Sequence, residues 1–168
     1  MNIATHSKKF TFRFGNKKIV FGKMSYEPEF HLYAKVLVYA LYHREYPTLR
    51  VEAKLADRFQ PDLNAIAFDG DMLMWAECGN VSMHKVEKLF KKYRKAHYVF
   101  VKEEKDVPVF KKHLEKVAKE ISRLPLVDII IYPPEFKDWN ISEEGDVFIR
   151  KQDVTIIRWH DDQRVKYY

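Results

Sequence analysis

Two carboxylates, Asp62 and Glu77, bracket a stretch whose residue types favour a tight hairpin. Between them run Leu63-Asn64-Ala65-Ile66-Ala67-Phe68, then Asp69-Gly70, then Asp71-Met72-Leu73-Met74-Trp75-Ala76. Apolar and β-favouring residues on both sides of an Asp-Gly pair form the strongest short-range hairpin signal. With Asp69-Gly70 as a two-residue loop, Phe68 faces Asp71, and stepping back along both strands sets Asp62 opposite Glu77. Directly opposed side chains in an antiparallel pair lie about 4.5–5.5 Å apart at Cβ, and like charges there repel. Two facing carboxylates therefore invite a cation between them. Mg2+ often takes only one or two protein carboxylates, its other positions going to water or phosphate oxygens. Held in that way, Mg2+ or Mn2+ supplies what phosphodiester hydrolysis needs: an activated water, shielding of charge on the phosphate, and help for the leaving oxygen.

Pro61-Asp62, a strand, and then Glu77-Cys78-Gly79 together resemble the core of the PD-(D/E)XK nuclease superfamily. In that superfamily an Asp at the start of one strand and an acid on the next hold Mg2+, and a Lys two residues later assists. The surrounding chain is similar to the YaeQ-like group. The matching segments are a strand hairpin over residues 9–20, an acidic helix start and apolar helix over 27–43, Pro61-Asp62-Leu63, Trp75-Ala76-Glu77-Cys78-Gly79, and a basic helix over 82–95. The resemblance implies an Mg2+- or Mn2+-dependent deoxyribonuclease in which Asp62 and Glu77 hold the metal and the Cys78 carbonyl is a further ligand. It also implies a third acid from the helix before the Asp strand, Glu27 or Glu29, although both equally suit the positive end of a helix dipole. The chain departs from the pattern at Gly79, which stands where the Lys is expected. A glycine can neither orient a hydroxide nor stabilise a pentacoordinate phosphate. Lysines relocate in this superfamily; Lys85, in the first turn of the basic helix, is the candidate and Lys88 the second. Asn80 could position a water or only satisfy its turn, and Lys85 could be merely solvated.

The elements that must hold these residues follow from pattern. Residues 8–14 alternate Phe10, Phe12 and Phe14 against Lys9, Thr11 and Arg13, a strand with one buried face, and Gly15-Asn16 turns it into a second strand near Ile19-Val20-Phe21. Ser25-Tyr26-Glu27-Pro28-Glu29 opens a helix, and residues 30–42 are apolar almost all round, so that helix is buried. Residues 49–55 alternate and read as a strand beside the central hairpin, with Pro61 at the first position of the next strand. Ser82 caps a helix over 83–96 whose inner stripe is Val86, Leu89, Phe90 and Tyr93 and whose outer faces carry Lys85, Lys88, Lys91, Lys92, Arg94 and Lys95. Residues 97–101 and 127–132 read as buried strands, with a helix starting at Asp106-Val107-Pro108 between them. Residues 135–145 read as loop, and 147–150 with 154–159 as a closing hairpin before a basic-aromatic tail over 164–168. The fold expected is α/β: a restriction-endonuclease-like three-layer αβα core with a mixed central sheet, plus N- and C-terminal β-hairpins, in one domain over residues 1–168.

Composition narrows the function. A chain of 168 residues with 46% hydrophobic and 32% charged residues is globular rather than disordered. Its net charge of +6 and pI near 9.2 suit a polyanionic partner. One cysteine excludes an internal disulfide framework and fits a reducing, cytoplasmic compartment. No apolar run reaches membrane-spanning length and no signal-peptide pattern opens the chain, so no membrane partner is expected. Abundant Lys and Glu beside few Gln lean towards a thermophile. The seven His show no H-E-x-x-H spacing, and C-x-x-C, G-x-G-x-x-G and G-K-S/T motifs are absent, which argues against zinc and nucleotide-cofactor sites. Cys78 has no placed His partner and reads as a packing thiol. Aromatics interleave with basic residues at Tyr93-Arg94, Trp159-His160 and 164–168, a pattern that suits single strands held by a basic groove and base stacking. Lys88, Lys92 and Asn80 are the expected nucleic-acid contacts. DNA is the expected partner, single strands favoured, cleaved exonucleolytically without sequence specificity; assembly into an oligomer would improve the grip on a long strand. Two rivals stand beside this: a catalytically inactive nuclease-fold module that binds nucleic acid, and an interaction protein whose basic face serves only solubility.

Overall fold

The computed structural model describes residues 7–123 and 125–159; the expectations placed on His6, His160 and the tail over 164–168 lie outside the described residues. Strands β1 (Ser7–Phe14) and β2 (Lys17–Met24) form an antiparallel hairpin, with Phe14 opposite Lys17 across Gly15-Asn16. Gly15 takes a left-handed φ of 64°, which a glycine adopts without a Cβ clash. Phe12, Phe14 and Phe21 point from this hairpin onto helix α1 (Glu29–Tyr42), which is sandwiched between the hairpin and the main sheet. That position explains why α1 is apolar on nearly every face. Its N-cap is Pro28, in an extended conformation and without a side-chain cap.

The main sheet holds β3 (Arg50–Val51), β4 (Leu63–Ile66), β5 (Met72–Glu77), β6 (His97–Lys102), β7 (Val127–Ile131) and β8 (Ile156–Arg158), in that order. The pairs β5–β6 and β6–β7 are parallel and the others antiparallel. Helix α2 (Met83–Lys92) connects β5 to β6, and α3 (Val107–Ile121) connects β6 to β7. Both crossovers advance across the sheet in one direction, so right-handed connection sends both helices to the same face. There they pack with Trp75, Tyr98, Phe100, Val127 and Ile129, while Leu63, Ala65, Met74, Ala76, Val99 and Val101 pack towards α1 on the other face. The mixed sheet thus lies between helical layers, with the N-terminal hairpin outside α1.

At the lower end of α1 a buried network pins helix to sheet. Asp128 on β7 accepts from Tyr42 Oη at 2.6 Å and from Arg158 Nε at 2.9 Å, His97 Nε2 lies 2.9 Å from it, and Tyr46 Oη lies 2.8 Å from His97 Nδ1.

Four expectations are corrected. The strand over 49–55 stops at Val51, because Glu52 adopts φ 55° and turns its carboxylate back to the Gly22 N–H and the buried Lys35 ammonium. Helix α2 ends at Lys92 rather than Ala96, since Tyr93 leaves the helix to stack on Trp75 and hydrogen-bond Asp57. Residues 135–145 are not all loop: they include the short helix α4 (Phe136–Asn140), with Phe136 buried. No C-terminal hairpin forms among the described residues. Asp146 and Val147 instead bridge to Arg13 and Ile141, a 3-10 turn occupies Lys151–Asp153, and β8 pairs with β7.

Candidate functional site

The central hairpin reaches the expected register by an unexpected route. Ala67 N bonds to Asp71 O and Gly70 N to Ala67 O, so the loop is three residues long, Phe68-Asp69-Gly70. Gly70 carries the left-handed φ of 94° that this kind of loop needs. The extra loop residue alone would displace every pair by one. A bulge compensates: the pairing steps from Ala65–Met74 to Ile66–Met72, leaving Leu73 unpaired and exposed. Leu63 therefore faces Ala76, the pairing that leads on to Asp62 and Glu77, and Asp62 N bonds Ala76 O at 3.1 Å.

Both acids lie at the carboxyl-terminal end of the parallel strands β5, β6 and β7, where open α/β sheets characteristically place ligands. They take their partners from opposite layers. Asp62 Oδ1 lies 2.9 Å from His31 Nε2 of α1, and Asp62 Oδ2 accepts from Cys78 N at 2.7 Å. Glu77, buried, accepts from Trp75 Nε1 at 2.9 Å, and the Lys85 ammonium in the first turn of α2 lies 2.5 Å from its Oε1. Ser82 caps α2 by accepting from Lys85 N, which fixes where that lysine stem leaves the helix. Lys85 Nζ also donates to Gln60 O at 3.3 Å, tying α2 to the segment that leads into Asp62.

Burial pushes the Asp62 carboxyl upwards, but the His31 hydrogen bond and charge and the Cys78 N–H outweigh it, and the net shift is down. His31 moves the other way, raised by its bond to Asp62 against the effect of burial. Burial also pushes the Glu77 carboxyl up; Lys85 and Trp75 pull it back, the Asp62 charge adds to the rise, and the net shift is up.

Of the other residues singled out from sequence, Glu27 joins this end of the sheet indirectly. It stands 3.6 Å from His31 Nδ1 and 3.9 Å from Lys35 Nζ, and accepts from Met24 N. Glu29 does not join: it is exposed and ion-paired at 2.6 Å with Lys137 of α4, so of the two candidate third acids only Glu27 remains near. Cys78 is free and fully buried, and burial raises its thiol well above the ordinary value, as a packing thiol requires. Asn80 and Lys88 are exposed, on the loop before α2 and on α2 itself. Lys92 is exposed but paired with Asp57 at 2.7 Å, and Lys91 with Glu87 at 2.5 Å, so part of the basic face is already neutralised. Trp159 is buried core rather than a stacking platform.

Sequence reasoning missed His31, Lys35 and Lys102. His31 and Lys35 come one and two turns after Glu27 on the helix face that meets Asp62, and a lone Lys inside an apolar helix was the available signal. Lys35 is 1% exposed and donates to Gly22 O. Lys102 ends β6, donates to Gly79 O at 3.1 Å and lies over the Phe110 ring; burial lowers its pKa, against the pull of Asp106 and Glu77. A cation thus stands beside Gly79 after all, supplied by the neighbouring strand.

Among the described residues no three His, Cys, Asp or Glu side chains form a ready metal cage. Asp62 and Glu77 are hard oxygen donors close enough to feel each other's charge, and each carboxylate retains lone pairs beyond its present partners.

Fold and site together define a mixed α/β protein with two acids and a lysine gathered at one end of its sheet. The chain belongs to the YaeQ family: the family model described as YaeQ protein matches residues 24–159. It is similar in structure to the YaeQ protein from Xanthomonas axonopodis pv. citri, with a TM-score of 0.60 and 16% identity over 92% of each chain. The YaeQ protein from Pseudomonas syringae is similar too, with a TM-score of 0.57 and 17% identity over 92% of this chain and 89% of that one. At such identities the likeness shows a shared fold. No curated protein matches the chain. Among the described residues no helix is long and apolar enough to cross a membrane.

Proposed function

We propose that this chain is a metal-dependent nuclease of the PD-(D/E)XK superfamily, with a restriction-endonuclease-like core, that hydrolyses phosphodiester bonds of DNA. The reading extends to single strands as the favoured substrate and to exonucleolytic cleavage without sequence specificity. The observation that carries it is the Lys85 ammonium 2.5 Å from Glu77 Oε1, on the strand end next to Asp62. It brings to the second acid, from the following helix, the cation that Gly79 cannot provide. In this reading Asp62 and Glu77 hold Mg2+ or Mn2+, with the Cys78 carbonyl as a further ligand. The ion, when bound, supplies charge shielding and an activated water. Lys85 stabilises the negative charge that builds on the phosphate, and His31 holds Asp62 in place. Water oxygen bonds to phosphorus, the bond to the leaving oxygen breaks, and that oxygen takes up a proton as the water loses one. A net charge of +6 favours approach of the polyanion.

The test is cleavage of labelled single- and double-stranded DNA and RNA with Mg2+, Mn2+ or EDTA. Metal-dependent cleavage of DNA is expected, abolished by Asp62→Ala and by Glu77→Ala with the melting transition retained; undiminished cleavage in either variant rules the site out. A second reading, an inactive module that binds nucleic acid, is favoured by one observation: His31 and Lys85 already neutralise the two acids. It predicts steeply salt-dependent binding without cleavage.

A further inference from the structure

Strand β3 begins only at Arg50, opposite Asn64, so among the described residues β4 has no strand partner on that edge beyond Asn64. A cavity of about 330 Å3 opens there, lined by Arg50, Ala53, Lys54, Leu55, Asn64, Ile66 and Phe68 among others. Its size falls in the range of small-molecule sites. Three observations describe what it would hold. Asn64 is 1% exposed, and its side-chain oxygen has no hydrogen-bond partner, whereas buried polar atoms are otherwise nearly always paired. Phe68, at the tip of the hairpin, is fully exposed, a large flat ring with nothing covering it. Arg50 and Lys54 are exposed on the same rim.

We propose that this cavity is a base-binding subsite for a nucleotide adjoining the scissile phosphate, a proposal that rests on the nuclease reading and deepens it. The unpartnered Asn64 oxygen accepts an N–H from the base edge, and an Asn amide fits adenine especially well, accepting from N6 and donating to N7. The Phe68 ring stacks on the base, an interaction tolerant of base identity. Leu55 and Ile66 form apolar walls, and Arg50 and Lys54 meet the flanking phosphates. Position supports the assignment. Asn64 lies two residues along the chain from Asp62, roughly 7 Å at the rise of a strand, and pairs across to Trp75, whose indole holds Glu77. A base seated at Asn64 therefore sets its own phosphate towards the acids.

The experiment titrates the full chain in EDTA with dAMP, and with 2-deoxyribose 5-phosphate as the base-free probe, by calorimetry or amide chemical shifts. The wild type is expected to bind dAMP more tightly than the sugar phosphate. Asn64→Leu and Phe68→Ala should each weaken dAMP about tenfold and leave the sugar phosphate unchanged. Asn64→Leu removes the unpartnered acceptor at similar volume. Should it fail to fold, Phe68→Ala decides alone, since that ring is fully exposed. Equal binding of the two probes, absence of dAMP binding, or unchanged dAMP binding in the variants overturns the subsite. Because EDTA excludes catalysis, failure here is distinct from failure of the nuclease reading, which the cleavage assay with Asp62→Ala reports separately.

Discussion

Replacing Lys85 by Met keeps an aliphatic stem near the Phe59 and Trp75 rings, which Lys85 Nζ approaches to 5.9 Å each, and deletes the cation beside Glu77 together with its long hydrogen bond to Gln60 O. The cost can be bracketed. Exposed ion pairs contribute about 0.2–1 kcal/mol, whereas removing one partner of a buried pair costs about 3–5 kcal/mol. The Lys85 side chain is 20% exposed and that of Glu77 7%, which places the pair towards the buried end. Glu77 can also escape part of the penalty by protonating, since burial already raises its pKa. A loss of about 2 kcal/mol near pH 8 follows, or about 4–8 °C in Tm for a chain of this size. The sign with pH is fixed by linkage. Without Lys85 the folded-state Glu77 rises further above its ordinary value of 4.5, so the deficit is full at high pH and disappears as pH falls below 4.5. Thermal melts in EDTA at pH 8 and pH 4 read this directly, and Glu77→Gln in the Lys85→Met background should recover most of the loss. Saturating Mg2+ should restore the single variant, by about 2.7 kcal/mol at a hundred times Kd, but not the double one. Turnover on DNA should fall while binding holds. A Lys85→Met protein that melts like the wild type at pH 8, or an Mg2+ effect that survives loss of Glu77, refutes the pairing of cation, acid and metal; normal turnover moves the catalytic role to Lys88 or Lys102.

Asp128→Asn should destabilise the chain by about 3–5 kcal/mol at pH 7 in urea unfolding, because it breaks a buried charge network. Burial opposes ionisation of Asp128, yet His97, Arg158 and Tyr42 together hold its carboxyl far below the ordinary 3.8. Its contribution is therefore present above pH 3.8 and lost as pH falls through the folded-state value, so the gap between wild type and variant should narrow towards pH 2. Gly145→Ala should cost about 1–3 kcal/mol, since a Cβ there would stand 2.8 Å from Thr11 O at a φ of 89°; hydrogen exchange should show the β1–β2 hairpin opening sooner. Lys35→Met should cost about 1–3 kcal/mol in the same urea assay, because Gly22 O and Glu27 lose a buried donor while Glu52, the more exposed of the two acids, can turn to water.

Residues close in sequence were the readable part. The alternation of Phe10, Phe12 and Phe14, the Asp-Gly turn, the Ser82 cap and the apolar runs of β6 and β7 each declare themselves within one turn or one strand, where local sterics and hydrophobic period decide. That Asp62 and Glu77 come to one end of the hairpin was legible for the same reason, although the register that sets Leu63 opposite Ala76 is reached by two offsetting irregularities, a longer loop and a bulge at Leu73. Lys85 could be placed because capping fixes the first turn of α2 relative to β5.

What the folded chain alone decided is which distant groups meet these acids. His31 at Asp62, Lys102 at Gly79 and the Glu52–Lys35 pair that cuts β3 short join elements separated by long stretches of sequence. Nothing in local propensity encodes such pairings; they follow from which faces of α1 and β6 are left to turn towards the sheet end once the two cores are packed. The swap of the expected C-terminal hairpin for β8 beside β7 has the same origin. Asp128 on β7 offers a buried carboxylate that Arg158 meets from the antiparallel strand β8 beside it, a contact between segments far apart in sequence.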